Sequence, residues 1–271
     1  MAMHIVVAAK QVLDPEGVNS YALWGRLTVD ETQRSFTVGD VIPRIINAYD
    51  EQAMEAALRI RDSGVDCRIT ALTVGGGAAT DVLKRCLAMG AEDAVHVDDT
   101  ESDRADGFRT AALLAAAVRK MGDVDLVLCG RQGSDYDQGT VPGVLAELLD
   151  AALVTVAADV RATEDGVQVV RVTPQGLETV EATLPAVVSV SNEIGVARAP
   201  SARGMLDARR KKPAVYDSAE LLTGAGGGVE VVRVFVPDVQ GHCEMIEGDT
   251  PAERASRLLD ALAKAGVLGG H

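Results

Sequence analysis

The chain has 271 residues, 47% of them hydrophobic and 24% charged, enough for a buried core in one large domain or in one domain with an appendage. Forty acids against 26 bases leave a formal net charge of −14, which argues against broad affinity for nucleic acid or an anionic membrane. With no apolar run of about 18 residues, no signal-peptide pattern at the start, and four scattered cysteines (Cys67, Cys86, Cys129, Cys243) lacking metal-ligand spacing, the expectation is a cytoplasmic protein with reduced thiols and no membrane insertion.

"HIVVAA", beginning at His4, is short, apolar and rich in β-branched residues, as a strand covered on both faces should be. "DEQAMEAALRIRDSG" sets Ala53, Ala56, Ala57 and Ile60 near helical spacing before a stop at Gly64. "CRITALTVGG" reads as a strand. "AATDVLKRCLAMGA" reads as a helix with Val82, Leu83, Cys86 and Leu87 on one stripe and Gly90 just past its last turn. "DAVHVDD", "DGFRTAALLAAAVRKMG", "VDLVLCG" and "TVPGVLAELLD" continue as strand, helix, strand and helix. This alternation predicts an α/β fold with a doubly wound parallel sheet over about residues 1–160. Ligands of such sheets gather beyond the carboxyl ends of the strands, near a topological switch point, which singles out the loops 8–12, 73–77 and 130–141.

From about residue 154 the pattern changes. "VQVVRVTPQGLETVEATLPAVVSVS" alternates in short strands around a turn at Pro174–Gly176, predicting an antiparallel hairpin extension beside the main sheet. "EIGVARAPSARGMLDARRKKP" has no clean period and carries five basic residues between Arg203 and Lys212. "TGAGGG" at 223–228 reads as a flexible linker. In "TPAERASRLLDALAKAGVL", Thr250 suits a helix cap, Pro251 the first turn, and Leu258, Leu259, Leu262 and Val267 an apolar stripe.

The stretch with most chemistry is "LVLCGRQGSDYDQGTVPGVLAELL", residues 126–149. Gly130, Gly133 and Gly139 let a ligand approach the backbone, and the helix start offers N–H groups to a phosphate. Arg131 adds positive charge, and Asp135 or Asp137 can accept hydrogen bonds from a ribose or an adenine amine. Spacing alone fits equally a polar turn whose acids cap the next helix. Asn47 and Asp50 read as N-caps, or Asn47 as an amide able to read an adenine edge. "TVGGGAA" is not GxGxxG and fits a tight turn as well as a phosphate contact. The run Arg209–Lys212 reads as a solvated basic face or a binding patch.

Taken in order, "VVAAKQV", "INAYDEQAMEAALRI", "LKRCLAMGAEDAVHV", "DLVLCGRQGSDYDQG", "GLETVEATLPAVVSVSNEI" and "PSARGMLDARRKKP" resemble the β subunit of electron transfer flavoproteins. The resemblance implies an adenine nucleotide α-hydrolase-like sheet domain over 1–222, including the hairpin and a partner-recognition loop at about 192–213, then a linker and C-terminal arm over 223–271 that embraces an α subunit. It implies a heterodimer that carries electrons from a dehydrogenase to a quinone reductase or another acceptor. The α subunit would hold the redox-active FAD and this subunit an AMP, or a second FAD in electron-bifurcating members that oxidise NADH. Aromatic residues make up 3% of the chain, leaving little to stack on a flavin unaided. A stand-alone adenine-nucleotide sensor is the competing reading.

By motif position, the nucleotide site would comprise Ala8, Asn47, Ala48, Tyr49, Asp50 and Val74. The loop would add Gly130, Arg131, Gln132, Gly133, Ser134, Asp135, Asp137, Gln138, Gly139, Thr140 and Val141. Two departures stand out. Many members have Asn-Gln-Thr where this chain has Gly139-Thr140-Val141, so a familiar hydroxyl is missing at Val141, and the choice between AMP and FAD stays open. Members serving acyl-CoA dehydrogenases carry a Leu-Pro anchor where this chain has Ser201 and Ala202. Met205 and Leu206 are the nearby apolar substitutes, followed by Arg209 and Arg210.

Overall fold

The computed structural model describes residues 2–16, 27–32, 35–38, 42–222, 228–235 and 243–267. Its strands are β1 (Met3–Ala8), β2 (Gln11–Leu13), β3 (Leu27–Asp30), β4 (Ser35–Val38), β5 (Arg44–Ile46), β6 (Cys67–Gly75), β7 (Asp93–Asp98), β8 (Leu126–Gly130), β9 (Ala152–Ala162), β10 (Gly166–Thr173), β11 (Gly176–Thr183), β12 (Ala186–Val190) and β13 (Ala214–Asp217). Nine of them form one sheet in the order β11-β10-β9-β12-β8-β1-β6-β7-β13. From β9 through to β13 every neighbouring pair is parallel, whereas β10 runs antiparallel to both β9 and β11.

The apolar run after His4 makes β1 the centre of this sheet, with Ile5 opposite Ile69 on one side and Leu126 on the other. Successive side chains of a strand point to opposite faces, and both faces here are covered. Ile5 and Val7 pack with Met54 and Leu58 of α1 (Ala48–Asp62) and Leu83 and Cys86 of α2 (Thr80–Met89). Val6 and Ala8 pack with Leu113 and Leu114 of α3 (Gly107–Met121) and Leu145 of α4 (Val141–Leu149). That alternation is the physical content of a doubly wound fold. Truncating a wholly buried leucine in such a layer costs about 2–5 kcal/mol.

The helices stop where expected: Gly64 follows α1, and Gly90 ends α2. The parallel sheet extends past residue 160. β9 and β12 join it as parallel strands, and only β10 and β11 run antiparallel, turning at Pro174–Gly176. "AVVSV" in β12 is buried throughout, because it sits between β8 and β9 with helices over both faces. At the opposite edge β13 pairs with β7.

After β12 the chain forms α5 (Ala202–Ala208) and α6 (Ser218–Leu221). Two compact units are distinguished, Met1–Val234 and Phe235–His271. The second contains α7 (Pro251–Lys264), with Pro251 in its first turn and the Thr250 hydroxyl accepting from the Glu253 amide at 3.2 Å. Residues 223–227 of the expected linker lie outside the described residues. Among the described residues no helix is long and apolar enough to cross a membrane.

Candidate functional site

β1 is followed in the sheet by β6 on one side, while β8 joins it on the other. The switch point of the fold therefore lies beyond the carboxyl ends of β1 and β8. Ala8 and Gly130 end these two strands, and Val74 lies near the end of β6. The chain leaving β1 is turned by the Ala9 amide donating to the Leu72 carbonyl at 2.8 Å and by the Thr73 hydroxyl donating to the Ala9 carbonyl at 2.7 Å.

The start of α1 is driven into this gap. Asp50, 6% exposed, accepts from the Lys10 amide at 2.7 Å and the Gly130 amide at 2.9 Å, so one carboxylate ties the ends of β1 and β8 together. Burial pushes its carboxyl up to about 7, against the downward pull of those amides. Gly130 is required by this contact: a Cβ there would stand 2.3 Å from Asp50 Oδ1 and 2.7 Å from Tyr49 Cβ. Its smallness serves the packing of α1 on β8.

Asn47, 1% exposed, occupies the N-cap position of α1, but its side chain makes no capping bond. Its Nδ2 donates to the Gln132 carbonyl at 2.8 Å and its Oδ1 accepts from the Ser134 amide at 3.1 Å. The irregular loop after β8 has peptide groups with no strand to pair them, and these take the amide that the sequence suggested for a cap or an adenine edge.

Farther out, Asp135 forms an ion pair with Lys10 at 2.7 Å and accepts from the Tyr136 amide at 3.0 Å. The Lys10 ammonium also lies 5.4 Å from the centre of the Tyr136 ring. Gln132 donates to Asp137 at 2.7 Å. Asp137 and Gly139 take φ values of +52° and +63°, which bend the loop back to α4. Neither acid caps that helix. Thr140 stands at its N-cap without a side-chain cap, its hydroxyl 3.4 Å from the Gln138 carbonyl. Among the described residues, the amides of Gln138, Gly139, Thr140 and Val141 meet no acceptor.

On the other flank the Arg131 guanidinium lies 5.1 Å from the Tyr49 ring centre and donates to Ser191 Oγ at 3.3 Å, and the Ser191 hydroxyl in turn donates to Glu193. Ala48 is the exposed first residue of α1. The sequence-derived residues thus stand at or near the carboxyl ends of β1, β6 and β8, with Lys10, Tyr136, Ser191 and Glu193 bonded or packed among those of the loop after β8. The signal for Lys10 was its place in "AAKQV", directly after a strand. Ser191 and Glu193 arrive through β12, whose position no local pattern announces. Amides without an acceptor at a helix start, an arginine, a lysine and carboxylates are groups able to meet the phosphate and hydroxyls of a polar ligand. The triple glycine at 75–77 is a tight turn in which a Cβ on Gly75 would meet Ala79 at 2.7 Å.

The loop after β12 is anchored by α1 as well. Glu55, buried on that helix, receives the Arg198 amide at 3.1 Å and its guanidinium at 2.7 Å, with Arg59 at 3.0 Å. Ser201 caps α5 by accepting from the Gly204 amide at 3.0 Å. Ala202, Met205, Leu206, Arg209 and Arg210 all stand exposed.

Residues 36–221 match the family model described as the electron transfer flavoprotein domain. The chain belongs to the electron transfer flavoprotein family. It is 32% identical over 272 residues to the caffeyl-CoA reductase-Etf complex subunit CarD of Acetobacterium woodii, covering 98% of this chain and all of the relative. It is 30% identical over 280 residues to the electron transfer flavoprotein β subunit of Megasphaera elsdenii, covering 98% and 100%. The β subunit of Mycobacterium leprae is 32% identical over 261 residues, covering 94% and 92%. Within the family the chain is therefore a β subunit, a component of flavin-associated electron transfer.

Proposed function

We propose that this β subunit holds AMP at the crevice between β1 and β8 and pairs with an α subunit that carries the redox-active FAD. The observation carrying this reading is the pinned loop: Asn47 and Asp50 fix residues 130–134, and among the described residues the Gln138–Val141 amides at the start of α4 meet no acceptor. Those amides would hold a phosphate, Asp135 a ribose hydroxyl or the loop itself, and Ala8 would leave space for an adenine plane. FAD would supply the one- and two-electron chemistry when bound. This chain's own part is to position and shield: its loops form one wall of the complex, and its exposed loop at 192–213 meets a dehydrogenase. A quinone reductase or another acceptor would then take the electrons.

Native mass analysis of the co-purified heterodimer, with its released cofactors, tests the reading. One FAD and one AMP per heterodimer is the expected result, and two flavins would move this subunit to the bifurcating, NADH-oxidising type. Asp135→Ala removes the Lys10 ion pair from the loop and should lower AMP content at least several-fold. Unchanged AMP in that variant would count against this loop as the site.

A further inference from the structure

The backbone of Lys10, just past the end of β1, is fixed on both sides. Its amide donates to Asp50 at 2.7 Å, and its carbonyl accepts from the Asn47 amide at 2.9 Å. From this post the side chain runs along the loop after β8. A Cβ built on Gly133 would stand 3.4 Å from Lys10 Cδ and 3.1 Å from Nζ, so the stem passes close by a residue that has no side chain. The ammonium reaches both oxygens of Asp135, at 2.8 and 2.7 Å, and lies 5.4 Å from the Tyr136 ring centre.

The residues it meets belong to a turn that is tied to itself. The Asp137 amide donates to the Gly133 carbonyl at 2.9 Å, and the Gln132 side chain donates to Asp137 at 2.7 Å. Asn47 holds this turn to the fold at residues 132 and 134, and Lys10 holds it at 135 and 136. The two holds differ in kind. Asn47 is 1% exposed, whereas the Lys10 and Asp135 side chains are 48% and 23% exposed. Directly after the turn come the amides of Gln138 to Val141, which meet no acceptor among the described residues.

We propose that Lys10 is a positioning residue of the crevice: by gripping Asp135 and Tyr136 it sets the turn 132–137, and with it the four amides that follow, in the arrangement that receives the phosphate of AMP. This role rests on the AMP reading above. With both carboxylate oxygens at its ammonium, Lys10 acts through Asp135 and not on the phosphate itself. An exposed ion pair contributes little to global stability, so its loss is felt in how long the nucleotide stays bound, while the chain still folds.

Exchange of bound AMP against labelled AMP in the co-purified heterodimer tests the assignment. Lys10→Met keeps an unbranched stem and removes the charge, and it should release AMP roughly three- to tenfold faster, the combined effect of an exposed ion pair and a cation–π contact. Lys10→Arg still pairs with a carboxylate and lies against an aromatic ring, so it should keep a rate close to that of the parent. Asp135→Asn should also release AMP faster. Adding Lys10→Met to it should speed release by no more than about twofold further, because the two changes break the same ion pair. Equal rates for the parent and Lys10→Met, a loss in Lys10→Arg as large as in Lys10→Met, or fully multiplying effects in the double variant, as a separate lysine–phosphate contact gives, would overturn the proposal. A parent heterodimer that carries no AMP would overturn the nucleotide assignment itself, and the role of Lys10 with it.

Discussion

Asp50 is under opposing demands. Two peptide N–H groups favour its charged form, while burial favours the neutral one and prevails, lifting the carboxyl from its usual 3.8 to about 7. The folded state therefore binds this proton more tightly than the unfolded chain. Its contribution to stability is full at or below about pH 3.8 and is lost as pH rises through about 7. Asp50→Asn removes the titration, so its melting temperature should fall less steeply between about pH 5 and pH 8 than that of the parent protein, as thermal unfolding across that range will show. An equal slope in both proteins would mean that the carboxylate is charged throughout. Gly130 beside it makes a simpler case. Gly130→Ala would force a methyl group to 2.3 Å from Asp50 Oδ1, and overpacking of this kind costs about 1–3 kcal/mol. Because the backbone of both partners must shift, the variant should melt several degrees lower, at about 2–4 °C per kcal/mol, and should lose nucleotide more readily.

At the scale of elements, α1 is the hub. Its first turn pins the loop after β8, and one turn farther along Glu55 anchors the segment leading to α5. Burial alone would raise the Glu55 carboxyl, but hydrogen bonds from the Arg198 side chain and amide, then from Arg59, outweigh it and hold the group below its usual range. The sign is thus opposite to that of Asp50: this stability is present above about pH 4.5 and disappears as pH falls through the lower folded value. Arg198→Ala strips the main partner from a buried carboxylate. Arg59 remains and Arg198 is partly open to solvent, so the cost should be about 1–3 kcal/mol, at the lower end for breaking a buried pair. Limited proteolysis should then cut within 195–210 sooner than in the parent, and unchanged cleavage would release that segment from α1. The alternation that gave β1, β6, β7, β8 and their helices was legible, because covered strands and amphipathic helices carry opposite periods. The placing of β12 and β13 was not. An apolar pentapeptide such as "AVVSV" fits a hairpin or a central parallel strand equally, and only the crossovers decide. The loops at the strand ends were legible in the sequence, but the Asn47 and Asp50 bonds to a loop 80 or more residues away are products of the fold.

At the scale of the whole molecule, the sheet unit satisfies its own core, whereas the last unit does not. None of the residues of α7 is buried, and Leu258 and Leu259 are 46% and 56% exposed. A 14-residue helix is marginal in water by propensity alone, so a capped helix with an uncovered leucine pair calls for a surface to rest on. Within the sheet unit Asp106, at the start of α3, accepts from the amides of Gly228 and Val229 at 2.7 and 2.8 Å, which fixes the backbone of its last residues. A capped helix with bare apolar side chains suits an arm reaching a second subunit. Deleting residues 249–271 should therefore weaken association with the α subunit and leave the melting temperature of the isolated sheet unit unchanged. Light scattering of the co-purified pair across a dilution series, paired with thermal unfolding of the free subunit, separates the two effects. Normal assembly of the truncated chain, or a lowered melting temperature without any loss of assembly, would return α7 to a role within its own subunit.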